Sequence, residues 1–195
     1  PKSKGGRYLE VLRKRCPLSR FDSYGIGGQM VNQMRRRFAR DILGVTPSGA
    51  SNSGKSGKPG KPGKPGKTAA PTAPKPKYDH VIILGGINDI CSDETAHRSN
   101  GKITRDLTAM YAMAHKAGLK VVALTMPPWG GFKRYFNPRR GRSTQHVNAW
   151  IRTQHATKKV DFLVDVYPIL SCGDSDKLCP TWAWPDQVHW NLKGH

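Results

Sequence analysis

Nowhere does the chain have a run of 18 or more apolar residues, which excludes a transmembrane helix as a reading of the sequence. Acids are scarce: 13 Asp and Glu stand against 33 Lys and Arg, a formal net charge of +20. The chain begins Pro1-Lys2-Ser3-Lys4-Gly5-Gly6, without an initiator Met or the apolar stretch of a signal peptide. Such a start is expected where a targeting segment has been removed or where the sequence is an internal piece, so it says little about export. Only four cysteines occur in 195 residues, and neither a Cys-x-x-Cys nor a His-x-x-x-His pair accompanies them, which argues against a zinc site. No zinc finger or aromatic RNA-binding motif goes with the positive charge. Specific nucleic-acid recognition is therefore not expected, while general attraction to anionic polymers or envelope surfaces stays open.

The charge that is present has two sources. Seven lysines fall in residues 44–77, GVTPSGASNSGKSGKPGKPGKPGKTAAPTAPKPK, which hold no acid and no aromatic residue. With Val45 as its single β-branched aliphatic, this segment cannot bury enough apolar surface to offset its ordering entropy. Its Lys-Pro-Gly triplets are too few for a collagen helix. A disordered insertion is expected there, inside one domain formed by residues 1–43 and 78–195. The other source is arginine, at Arg35-Arg36-Arg37 with Arg40 and at Arg134, Arg139, Arg140 and Arg142. Met30, Met34 and Phe38 recur every four positions through the first cluster, so its arginines are expected on the solvated face of a helix. Cys172 and Cys179, with six residues between them in a Gly- and Asp-containing loop, suit a local disulfide and hence an extracellular or periplasmic home. Cys16 and Cys91 are open between a second pair and two buried thiols.

Hydrophobic periodicity alternates along the rest of the chain. Residues 6–15, Gln29–Leu43, Ile103–Ala117 and Ser143–Thr157 read as helices, and Val81–Leu84, Lys120–Thr125 and Val160–Val166 as strands buried on both faces. Leu18–Tyr24 reads as extended, leading into Tyr24-Gly25-Ile26-Gly27-Gly28-Gln29. Such alternation predicts an α/β fold, a doubly wound parallel sheet flanked by helices in three layers. In that class functional residues gather past the C-terminal ends of the strands.

Gly28, Asn88 and the loop after Met126 lie in such positions, and three pieces of the chain carry chemistry. Gly28 sits in a glycine turn and can present its backbone N–H. Asn88 follows the strand ending Gly85-Gly86-Ile87-Asn88-Asp89 and can donate from its side-chain amide. Near the C-terminus, Pro185-Asp186-Gln187-Val188-His189-Trp190-Asn191 places a carboxylate three residues before an imidazole. A carboxylate that orients a histidine, a histidine that acts as general base, and two donors aimed at an oxyanion make up most of an acyl-transfer site. Each residue has a structural alternative: Gly28 a strained turn, Asn88 and Asp89 a helix cap, and His189 with His195 half of a metal site. The Pro127-Pro128-Trp129-Gly130-Gly131-Phe132 loop and Trp182 and Trp184 are candidates for an aromatic-lined mouth or for plain loop packing.

In their order these pieces resemble the SGNH (GDSL-type) hydrolase family. Gly-Ile-Gly-Gly-Gln resembles its second block, with Gly28 as the oxyanion donor; Gly86-Ile87-Asn88-Asp89 matches its Gly-x-Asn-Asp block, with Asn88 as the side-chain donor; and Asp186 with His189 matches its closing Asp-x-x-His. The resemblance spans the chain apart from the lysine-rich segment. It implies a serine ester hydrolase in which His189 is the base and Asp186 orients it, acting on a small-molecule or carbohydrate ester with no metal or organic cofactor. The departure from the family is its first block, Gly-Asp-Ser at the end of the first strand, which has no match here. Phe21-Asp22-Ser23 abuts the second block, and Ser3 lies ahead of the helix over residues 6–15. The nucleophile is accordingly expected upstream of Pro1. Its natural loss would instead make the chain a non-catalytic carbohydrate- or polyanion-binding protein on the same fold.

Overall fold

A parallel sheet forms from three short aliphatic runs: β1 (His80–Ile83), β2 (Lys120–Leu124) and β3 (Phe162–Val164), in spatial order β1-β2-β3. The structure, a computed structural model, describes residues 7–45, 77–173 and 176–195. Val81 pairs with Val121 and Ile83 with Ala123, while Ala123 pairs with Leu163. Six helices accompany the strands among the described residues: α1 (Arg7–Arg15), α2 (Val31–Asp41), α3 (Ile87–Cys91), α4 (Asn100–Lys116), α5 (Pro138–Ala156) and α6 (Val166–Leu170).

The long helices start where the sequence satisfies their first amides. Ser99 caps α4 by accepting from the Lys102 N–H at 3.3 Å. Asn137 caps α5 by accepting from the Arg140 N–H at 2.9 Å, and Pro138, which has no N–H to leave unpaired, opens the helix. Ile103, Leu107, Met110, Tyr111 and Ala114 form the apolar stripe of α4 and are all buried in the main core. Each of the larger side chains in that stripe contributes about 1.5–3 kcal/mol of burial.

Strand order explains which face is covered. The order never reverses, so right-handed crossovers through α4 and α5 place both helices on one face of the sheet. Val81, Ile83, Val121 and Ala123 point to that face and are buried with α2, α4 and α5. The residues between them do not reach the same depth: Ile82 is 37 % exposed, Phe162 50 % and Val164 40 %. The expectation of strands buried on both faces therefore holds for one face only. Over Leu124, at the C-terminal end of β2, the second face is covered by α6 and the C-terminal segment through Val166, Leu170, Leu178, Trp182 and Trp190. α1 joins that segment through Tyr8, whose ring stacks on His195.

One further expectation is corrected. Leu18–Tyr24 is irregular and pairs with no strand. Side chains hold it instead: the Tyr78 hydroxyl donates to Asp22 at 2.6 Å and shares a 2.7 Å hydrogen bond with Tyr24. The α2 arginines are mostly solvated as expected, Arg35, Arg36 and Arg40 being exposed, while Arg37 is drawn in, donating to Gln29 Oε1 at 2.8 Å and pairing with Asp41. The expected disordered insertion falls almost wholly on residues 46–76, outside the described residues.

Candidate active site

Asp186 and His189 form one compact unit at the tip of a two-stranded ribbon. Ala183 bridges Trp190, and the Trp184 N–H donates to the His189 carbonyl at 2.8 Å. Gln187 takes φ 59°, which turns the chain back within three residues. Asp186 then uses both oxygens: Oδ1 accepts from the N–H groups of Val188 and His189 at 3.0 and 2.9 Å, and Oδ2 faces His189 Nδ1 at 2.7 Å. Partial burial opposes ionisation of Asp186, but those N–H groups and the imidazole outweigh it and hold the carboxyl below its ordinary range. With Asp186 ionised, the Nδ1 proton points at it, leaving Nε2 able to accept a proton. No described residue hydrogen-bonds Nε2, and the imidazole is 73 % exposed.

Glycines bring this unit to the strand ends. At Gly131, in the loop after β2, a Cβ would stand 2.6 Å from the Gln187 Cβ, so the backbone of that loop and the Asp186–His189 turn touch. Val188 packs on the main core from the same turn. At the end of β1, Gly86 takes φ 126° and a Cβ there would lie 2.6 Å from the Met126 sulfur. Only glycine accommodates both the conformation and the contact, and this tight exit sets the start of α3 against the end of β2.

α3 in turn holds the glycine loop. Asn88 Nδ2 donates to the Gln29 carbonyl at 2.9 Å, and Asp89 Oδ2 accepts from the Val31 N–H at 2.8 Å. Gly28, one residue ahead of Gln29, has φ 79° and is exposed. Its N–H has no partner among the described residues. Asn88 Nδ2 carries two hydrogens, and Gln29 takes one. Gly28 and Asn88 are thus brought together, and so are Asp186 and His189. The sequence gives no signal for Gln29 as the group that orients Asn88, since a carbonyl contact depends on tertiary structure alone.

The remaining candidates are placed elsewhere. Ser23 is exposed in the irregular segment, and no serine, threonine or cysteine among the described residues hydrogen-bonds His189. Ser3 lies outside the described residues. Trp129 is not part of a mouth: it is 1 % exposed, its indole N–H donates to Thr144 at 2.9 Å, and it packs edge-on against Phe136. Trp182 packs under α6, whereas Trp184 stays 51 % exposed beside the dyad. Cys172 and Cys179 are joined in a disulfide, while Cys16 and Cys91 are free. His195 is engaged by the rings of Tyr8 and Trp190, and no group of three or more His, Cys, Asp or Glu among the described residues is arranged to hold a metal.

The GDSL-like lipase/acylhydrolase family matches residues 2–195. The chain belongs to that family. Its chemistry is accordingly ester hydrolysis in general. Solved structures share the family's fold with it. A GDSL-like lipase from Bacteroides thetaiotaomicron superposes with a TM-score of 0.69 at 19% identity, over 96% of this chain and 75% of that one. A putative acylhydrolase from Bacteroides fragilis gives 0.67 at 20% identity, over 96% and 74% of the two chains. An acetyl xylan esterase gives 0.64 at 17% identity, over 98% and 86%. No curated protein matches the chain.

Proposed function

We propose that the chain is a serine esterase in which His189 is the general base and acid, Asp186 orients it, and Gly28 and Asn88 stabilise the oxyanion. The observation that carries this reading is the 2.7 Å contact from Asp186 to His189 Nδ1, which leaves Nε2 without a partner among the described residues. A serine hydroxyl attacks the ester carbonyl as Nε2 takes its proton, and the carbonyl π electrons move onto oxygen. The Gly28 N–H and the second Asn88 amide hydrogen donate to that oxyanion. The tetrahedral intermediate collapses, the alcohol leaves with the proton from Nε2, and water repeats the sequence to release the acid and restore the serine.

The attacking serine lies outside the described residues in this reading. Two observations support that: none of the described hydroxyls reaches His189, and the outer edge of β1 pairs with no described strand. A strand added at that edge would end beside Asn88, where the nucleophile belongs. The substrate is a small or carbohydrate ester. A groove of about 470 Å³ lined by Thr181, Trp184, Asn191, Leu192 and Lys193 supports it, since an exposed indole face suits a sugar ring and Lys193 an anionic group. The basic lysine-rich segment suits attachment to an anionic envelope polymer, and the Cys172–Cys179 disulfide suits an extracellular or periplasmic site.

A fluorophosphonate probe tests the mechanism on the complete natural protein. One serine should be labelled, at a rate that falls steeply when His189 is replaced by Ala, and mass spectrometry of the labelled peptide names the residue. No labelling of a folded protein would overturn the esterase reading. It would favour the alternative, a non-catalytic binder of carbohydrate or polyanion on the same fold.

A further inference from the structure

A closed circuit of charge, buried at Asp89, Arg98 and Asp106 and reaching solvent at Arg35, lies behind Gly28 and Asn88. Asp89 is fully buried; its Oδ2 accepts from the Val31 N–H at 2.8 Å and its Oδ1 from Arg98 Nε at 2.7 Å. Arg98, itself 8 % exposed, donates from Nη2 to Asp106 Oδ2 at 2.6 Å. Asp106, 2 % exposed, uses Oδ1 to pair with Arg35 Nε at 2.9 Å. Val31 and Arg35 stand one turn apart on α2, so the circuit leaves that helix, passes through α3, the loop before α4 and α4, and returns to it. Two carboxylates and two guanidiniums make it neutral. Each buried carboxylate is matched by a bonded cation, the condition under which a buried ion network rigidifies a fold.

We infer that Arg98 is a positioning residue for the proposed oxyanion donors: by holding the Asp89 side chain in place, it fixes residues 29–31 against α3 and so sets Gly28 and Asn88 at a constant separation. The geometry makes the coupling direct. Asn88 and Asp89 are adjacent on α3, and they grip Gln29 and Val31, the residues that follow Gly28. Burial pushes the Asp89 carboxyl up, against the pull of the Val31 N–H and of Arg98, which is its sole charged partner among the described residues. Arg98 makes no hydrogen bond or ion pair with His189 or Asn88; its bonds go to Asp89 and Asp106. Its loss should therefore act on the transition state through the donors and leave substrate binding alone. This inference rests on the oxyanion assignment above, and one arm of its test does not.

The test compares wild type, Arg98→Met and Arg98→Lys in the complete natural protein. Hydrolysis of p-nitrophenyl acetate should show kcat lowered roughly 30- to 100-fold in Arg98→Met, with KM within threefold, and most of kcat recovered in Arg98→Lys. In ¹⁵N-labelled protein the Asn88 side-chain amide pair should shift in Arg98→Met, with its bonded hydrogen exchanging at least tenfold faster, and stay in place in Arg98→Lys. Should Arg98→Met not fold, Arg98→Gln combined with Asp106→Asn removes one charge of each sign and is read in the same way. A folded variant with an unmoved Asn88 pair, or a loss confined to KM, overturns the inference. If wild type hydrolyses no ester, the functional reading fails by itself, and the Asn88 resonances still decide whether Arg98 positions that side chain.

Discussion

The Asn88 side-chain amide donates to the Gln29 carbonyl at 2.9 Å, across 59 residues of sequence. That bond consumes one of two amide hydrogens and aims the other. An oxyanion donor acts mainly in the transition state, so Asn88→Ala should lower kcat by roughly 10²–10³ while KM changes little. Steady-state kinetics on a soluble ester checks this. A rise in KM alone would make Asn88 a ground-state binding residue.

Asp161 offers a pH-dependent check on the sheet. Burial pushes its carboxyl up, but the Val121 N–H, Lys120 and His115 pull it down further, so its folded pKa lies well below the ordinary value. A depressed carboxylate stabilises the fold fully above its unfolded pKa of about 3.9, and that contribution is lost as pH falls towards the folded value. Asp161→Asn should therefore cost about 1.5–3 kcal/mol at neutral pH. Thermal melts from pH 7 downwards should show the gap to wild type closing below about pH 5. A gap independent of pH would mean that the side chain acts by packing alone.

The Cys172–Cys179 disulfide closes a loop just before the ribbon that carries Asp186 and His189. Non-reducing peptide mapping of exported protein should find the two peptides linked. Replacing both cysteines with Ser should cost about 2–3 kcal/mol, read as a lowered denaturation midpoint. Two free thiols in exported protein would contradict both the pairing and the proposed compartment.

Residues 46–76 contain no aromatic and no large aliphatic residue. Loop closure depends only weakly on length, so a short Gly/Ser linker in their place should leave Tm within a few degrees. A large fall would show that the segment packs on the domain.

Much of this architecture was legible because it rests on local rules. The apolar periodicity of Ile103, Leu107, Met110, Tyr111 and Ala114 specifies α4, and the aliphatic runs at Val81–Leu84 and Lys120–Thr125 specify strands. The Asp186-x-x-His189 spacing was legible as well, because one tight turn brings those side chains together. What escaped was set by tertiary contacts. Aliphatic runs do not say whether one face or two will be covered; strand order does, and Ile82 and Phe162 are exposed as a result. Trp129 reads like a mouth residue until the partner of its indole N–H, Thr144, is seen. The circuit of Asp89, Arg98, Asp106 and Arg35 has no motif, since its members come together only when α2 packs on α4.

The most direct measurement of the central claim is ester hydrolysis by the complete natural protein before and after His189→Ala, with circular dichroism confirming the fold. His189 is 73 % exposed, and its imidazole bonds only Asp186 among the described residues, so the substitution should leave the structure intact. Activity on short-chain p-nitrophenyl esters should fall by on the order of 10³-fold or more. Near-normal turnover by the folded variant would contradict the assignment of His189 as the base.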